Sequence, residues 1–211
     1  MAREVRSMMH WNGCYLVVMW CKTTGPDPKI NEIYQFSAIC LDSNVEIRRD
    51  VIPLEMLIKP NYPERSTLVG KQCTIFKEAC IHGFDSFKAL ELFEKWIDKL
   101  DRRYVKGGHR HAKIIPLGHN YNWHQGFIRK WVGDLQYEEW FHDEYRDTQT
   151  SILFLNDQAG MHAEDVVTEL ATFQDCIPKL VERGRPRETA LQCALLCQEL
   201  YRNLTRRGMY I

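Results

Sequence analysis

The chain has 211 residues, 45% of them hydrophobic, enough to bury one sizeable core, and nothing in it forces a second domain. Lysine plus arginine and aspartate plus glutamate each total 28, so no global basic field points to nucleic acid, and any such binding has to be local. The longest apolar runs, Tyr15 to Cys21 and Ser151 to Leu155, are too short to span a bilayer, and the start lacks a signal-peptide core, so a soluble cytoplasmic chain with no membrane partner is expected. The eight cysteines are scattered without a Cys-x-x-Cys pair and read as buried thiols, not as a disulfide framework.

Residues 1–13 are a mixed N-terminal extension to a single domain. Tyr15 to Met19 is a run of β-formers that reads as a buried strand, Thr23-Thr24-Gly25-Pro26 with Asp27-Pro28 is a tight loop, and Ile33 to Ile39 is a returning strand. Asp42-Ser43-Asn44 signals a turn, and Val51 to Lys59 is a third extended segment; strands joined so briefly pair antiparallel. Thr67 to His82 holds a short helix. From Ser86 to Leu100 the spacing of Phe87, Leu90, Phe93 and Ile97, widened by Leu92 and Trp96, predicts an amphipathic helix with Ser86 as its N-cap.

Lys106 to His111 is a basic loop. Its histidines lack a carboxylate or thiol at ligand spacing and do not read as a metal site. Ala112 to Leu117 is a fourth buried strand, and a helix follows from Trp123 to Val132, ended by Gly133. Asp147-Thr148 caps a helix through Leu155, Glu164 to Phe173 is helical, and Gly184-Arg185-Pro186 precedes a last helix from Arg187 to Arg206. Strands followed by helices alternating with a strand give an α/β layered domain.

Three stretches carry a resemblance. Trp20-Cys21-Lys22-Thr23-Thr24-Gly25 at the end of the first strand, His119-Asn120-Tyr121-Asn122-Trp123-His124 running on to Phe127, and Glu188-Thr189-Ala190-Leu191-Gln192-Cys193-Ala194 stand in the order and roughly the spacing of three motifs. Together they resemble the DEDD 3′-to-5′ exonucleases of the histidine subclass, the proofreading type, and Asp147-Thr148 matches a further pair usual in that family. The likeness runs from about Tyr15 to Leu204 and implies a ribonuclease-H-like fold: a five-stranded mixed sheet flanked by helices, with the site at the end of the first strand.

The resemblance also implies two Mg²⁺ or Mn²⁺ ions held by four carboxylates, with a histidine as general base on water. At the five corresponding positions this chain has Trp20, Lys22, His124, Cys193 and, in place of the histidine, Glu188. A lysine about 4 Å from an ion repels it by several kcal/mol at intermediate dielectric. Loss of both ions and of nuclease activity is therefore expected. Since Thr23, Thr24, Gly25, Asn120, Phe127, Ala190 and Leu191 are kept, the substitutions read as selective: a homologue retained for binding, or a deliberately inactivated variant.

Alternative chemistry at these positions includes Zn²⁺ on His124, Cys193, Glu188 and Cys21, a Cys193–His124 nucleophile pair, and a Lys22–Glu188 ion pair across the old site. A filled, metal-free cleft is the expectation, with Cys193 an inert mid-helix thiol. The resemblance leaves Thr23, Thr24, Asn120 and Trp123 to hold a single-stranded DNA or RNA 3′ end, Trp123 as a stacking surface or a core residue. Arg183, Arg185 and Arg187 with Arg202, Arg206 and Arg207 are a phosphate-binding cluster or solvated caps. Two other readings stand beside end-binding. One is a protein-interaction subunit for a polymerase or replication partner, with exposed Trp131, Trp140 and Phe141 as its signature. The other is an active enzyme drawing substitute acids from Asp27, Asp143 or Glu144.

Overall fold

A computed structural model describes residues 14–67, 73–101, 113–151 and 189–208. Strand β1 (Tyr15–Thr23) is its centre. Antiparallel to it lies β2 (Ile33–Cys40), which pairs in turn with β3 (Leu54–Leu57), while β4 (Ile114–Gly118) runs parallel on the other side and carries β5 (Arg146–Asp147). The sheet order is β3-β2-β1-β4-β5. Five mixed strands flanked by helices are what the resemblance implied, and the architecture is α/β and ribonuclease-H-like.

β1 is buried on both faces, which is why it reads as an unbroken apolar run and not as an alternating one. Its odd residues Tyr15, Val17, Met19 and Cys21 join the cluster formed with α2 (Ser86–Asp101), α3 (Tyr121–Val132) and α4 (Asp134–Trp140). Its even residues Leu16, Val18 and Trp20 pack against α5 (Ala190–Gly208). Neighbouring residues of one strand thus face different helices. A further helix, α1 (Thr74–His82), places Phe76 and Ala79 beside Tyr34 of β2.

Several expectations need correction. Ser86 is the first residue of α2 and not its cap, since the Asp85 carboxylate accepts the Lys88 N–H at 2.8 Å. Phe87 lies off the buried stripe and is 79% exposed. The third extended segment shrinks to four residues. Trp140 and Phe141, offered as exposed aromatics, are buried in the core, and half-buried Trp131 packs on Phe36 and Phe93. No helix among the described residues is long and apolar enough to cross a membrane. Residues 1–13, the Lys106–His111 loop, the Glu164–Phe173 helix and the break at Gly184 lie outside the described residues.

Phe93 sits at the hub of the larger cluster, with Phe36, Trp96, Trp131, Trp140 and Phe141 within 6.4 Å, centroid to centroid. Phe93→Ala is expected to cost about 3–5 kcal/mol, read as a lowered urea midpoint with an unchanged slope, because the rigid aromatic cage cannot close on the space left.

Candidate site at the end of the central strand

The site residues are positioned by the end of β1, the start of α3 and the start of α5. Because side chains alternate along β1, Trp20 and Lys22 share the face toward α5, where Trp20 and Cys193 belong to one buried cluster. In the β1–β2 register Trp20 stands opposite Ser37, whose small side chain accommodates the indole, and Lys22 opposite Gln35. Lys22 is only 6% exposed and so is part of this buried wall. Glu188 lies outside the described residues, and with it any Lys22–Glu188 contact.

His124 approaches from α3. Its ring lies 4.8 Å from that of Trp20, centroid to centroid, and its Nδ1 lies 3.2 Å from the Cys21 thiol. The Cys21 backbone N–H donates to the same nitrogen at 3.4 Å, so Nδ1 must keep its lone pair and the ring proton sits on Nε2. Burial, reinforced by His119, pushes the imidazole pKa down to about 3, so the ring is neutral at physiological pH. Burial pushes the Cys21 thiol well up, so this pair holds no thiolate. The thiol that His124 engages belongs to Cys21, a contact the sequence did not reveal.

The two threonines of the loop are occupied within it. Thr24 is 1% exposed, its hydroxyl accepting the Glu32 N–H at 3.0 Å, and Thr23 donates to the Gly25 carbonyl at 2.7 Å. Gly25 is required by packing: a Cβ there would meet the Asn31 amide at 2.6 Å. That amide accepts the Asp27 N–H and holds the loop shut. Asn120 is exposed and left-handed (φ 56°), a conformation asparagine tolerates. Trp123 is half-buried against Phe127 and His124, so packing occupies part of its ring.

The matched Asp147-Thr148 pair is structural here. Asp147 oxygens accept the N–H groups of Asn120, Tyr121 and Gln149, each at 2.9 Å, capping α3 and starting the helix that follows. Thr148 Oγ1 lies 3.0 Å from Nδ1 of His119, whose pKa burial lowers against the pull of Asp147. Asp147→Ala is expected to lower stability by about 2 kcal/mol, most of which Asp147→Asn retains, as thermal unfolding of the two variants would reveal.

Hard divalent ions need converging carboxylate oxygens, and this site offers an indole, an ammonium, a neutral imidazole and a thiol. The described residues do not fit a two-metal centre. Among them no three His, Cys, Asp or Glu side chains lie close enough to hold a metal, so Cys21, His124 and Cys193 do not by themselves form the Zn²⁺ set, whose fourth member, Glu188, lies outside the described residues. Of the substitute acids, Asp27 caps its own turn through Lys29 N–H, and Glu144 faces Arg146 at 3.6 Å. Of the arginine cluster, Arg202 binds both oxygens of Glu46 at 3.1 Å, and nothing is described of the other five side chains.

This sheet order, with helices packed on both faces, defines a ribonuclease-H-like fold. The chain is similar to the zinc-bound complex of Escherichia coli exonuclease I with single-stranded DNA, at 14% identity with a TM-score of 0.53, over 93% of this chain and 41% of that one. It is also similar to exonuclease I of Methylocaldum szegediense (16% identity, TM-score 0.47, 66% of this chain, 28% of that chain). A complex of the E. coli enzyme with a dT13 oligonucleotide gives 18% identity, a TM-score of 0.43, and coverage of 69% and 30%. The chain spans less than half the length of these proteins. No protein-family profile and no curated protein matches the sequence.

Proposed function

We propose that the chain is an exonuclease-like domain of the DEDD type without nuclease activity that binds the end of a single nucleic-acid strand weakly and does not cut it. The observation that carries the reading is the packing of His124 against Trp20 at the end of β1, a neutral imidazole against an indole, with Lys22 buried on the same strand face as Trp20. In the family the resemblance names, this is the place of the ion-binding acids. Removing them withdraws both the activated water and the charge that neutralises the scissile phosphate. What remains accessible near the end of β1 is exposed Asn120 and the half-buried ring of Trp123, which offer an amide and a ring face to a strand end. The single-stranded DNA held by a solved neighbour of the same fold supports the choice of ligand.

The test is fluorescence anisotropy of a labelled single-stranded oligonucleotide in EDTA across a salt series. Each phosphate neutralised by a lysine or arginine contributes about −0.7 to the slope of log K against log salt, so a shallow negative slope is expected. Asn120→Ala combined with Trp123→Ala is expected to remove the binding, while a duplex of the same sequence binds less. Absence of saturable binding at about 1 mM protein, or binding indifferent to both salt and variant, refutes the reading.

A further inference from the structure

A cavity of about 160 Å³ lies between the start of β2, the end of β3 and the outer turn of α3. Its apolar walls are Ile33, Ile58, Phe127 and Trp131, and its mouth carries Lys59, Lys130, Glu32 and Asn61. The volume is about that of a cavity that accepts one six-membered aromatic ring. The half-buried indole of Trp131 in its lining favours a planar guest that can pack against it.

The rim determines the sign of that guest. Glu32 is already engaged, its oxygens accepting the Asn61 N–H, the Asn61 side-chain amide and the Tyr62 N–H at 3.3, 3.0 and 2.9 Å. Lys130 donates to the carbonyls of Asn31 and Lys29 at 3.0 and 3.3 Å, which leaves one of its three ammonium hydrogens. Lys59 is exposed, and its ammonium makes no hydrogen bond or ion pair among the described residues. Two ammoniums against one engaged carboxylate leave the mouth a net positive charge.

We propose that this pocket binds a small aromatic anion, its ring against Trp131 and its phosphate or carboxylate on Lys59 and Lys130. The pocket is built from the far end of α3 and from β3, so it stands independently of the strand-binding reading, which rests on the end of β1.

The test is NMR of protein labelled at its six tryptophan indoles, with the Trp131 resonance assigned by Trp131→Phe. Thymidine 5′-monophosphate, benzoate and a short dT oligomer are titrated in turn, beside uncharged thymidine. Saturable movement of the Trp131 indole signal with thymidine monophosphate or benzoate, at least about tenfold weaker with thymidine, supports the proposal, and the oligomer arm shows whether a strand end serves as the anion. Lys59→Glu is expected to weaken binding roughly tenfold or more, and Lys59→Arg to preserve it, with the other indole signals unmoved in both variants. No movement below about 10 mM of either anion, or a Lys59→Glu variant that binds like the parent, overturns it.

Discussion

Trp20→Asp is expected to be among the most destabilising single changes in the chain, lowering stability by about 4 kcal/mol or more. The indole is 8% exposed and belongs to the cluster that joins β1 to α5, so its loss opens a cavity that the strand and helix cannot close. The carboxylate that replaces it would be buried on the same strand face as Lys22, with no bound cation to compensate its charge. Typical domain stabilities of 5–15 kcal/mol leave little margin for that loss. Adding Lys22→Glu, His124→Asp and Cys193→Asp should lower stability further in EDTA, because four acids crowd one wall. Mn²⁺ should then return part of the loss to the fourfold variant and none to Trp20→Asp, since only the former recreates a negative site. Thermal unfolding of both variants with and without Mn²⁺ measures this, and equal metal responses would show that these positions do not converge on one ion site.

Acidification provides the second large effect. His124 has its pKa lowered from 6.5 to about 3 by burial, so the unfolded chain takes up a proton before the folded chain does. The contribution of this residue to stability is therefore whole above about pH 6.5 and is lost progressively as pH falls from there toward 3. Between pH 7 and pH 5 the loss is about 2 kcal/mol from this one group. His119, whose pKa is also lowered, adds a loss of the same sign. His124→Asn keeps an acceptor for the Cys21 N–H and cannot titrate, so its stability should fall more gently over that window. Urea unfolding at pH 5, 6 and 7 distinguishes the two proteins; parallel curves would mean that the imidazole is not buried neutral.

These expectations also show what the sequence could reveal. β1 was readable because both its faces are covered, which turns nine consecutive positions apolar apart from Lys22 and Thr23. The helix ended by Gly133 was readable because its φ of 87° calls for glycine. β5 was not readable from its residues: Arg146 and Asp147 form a strand only because Leu117 and Gly118 present a free edge, and a two-residue strand has no period. Ser86 was mistaken for a cap because Ser and Asp stand side by side and only the Lys88 N–H shows which one reaches it.

Within the site, the motif spacing singled out residues 20, 22 and 124, and side-chain alternation explains why Trp20 and Lys22 face one way. Cys21 and His124 were placed together in the sequence only as half of a zinc set, and their direct contact, between residues 103 apart, comes from a strand position outside the motif pattern. Local pattern reveals which residues share an element. Which residues of different elements touch is decided by packing.

The central claim is that the end of β1 has exchanged an ion-binding wall for an apolar and cationic one. It is tested most directly by incubating the purified chain with a 3′-single-stranded oligonucleotide, labelled at its 5′ end, in Mg²⁺ and in Mn²⁺, and resolving the products by length. The account predicts that the full-length band persists unchanged in both metals, at a rate indistinguishable from EDTA. A metal-dependent ladder of fragments shortened from the 3′ end, removed by the protein at substoichiometric concentration, would contradict it.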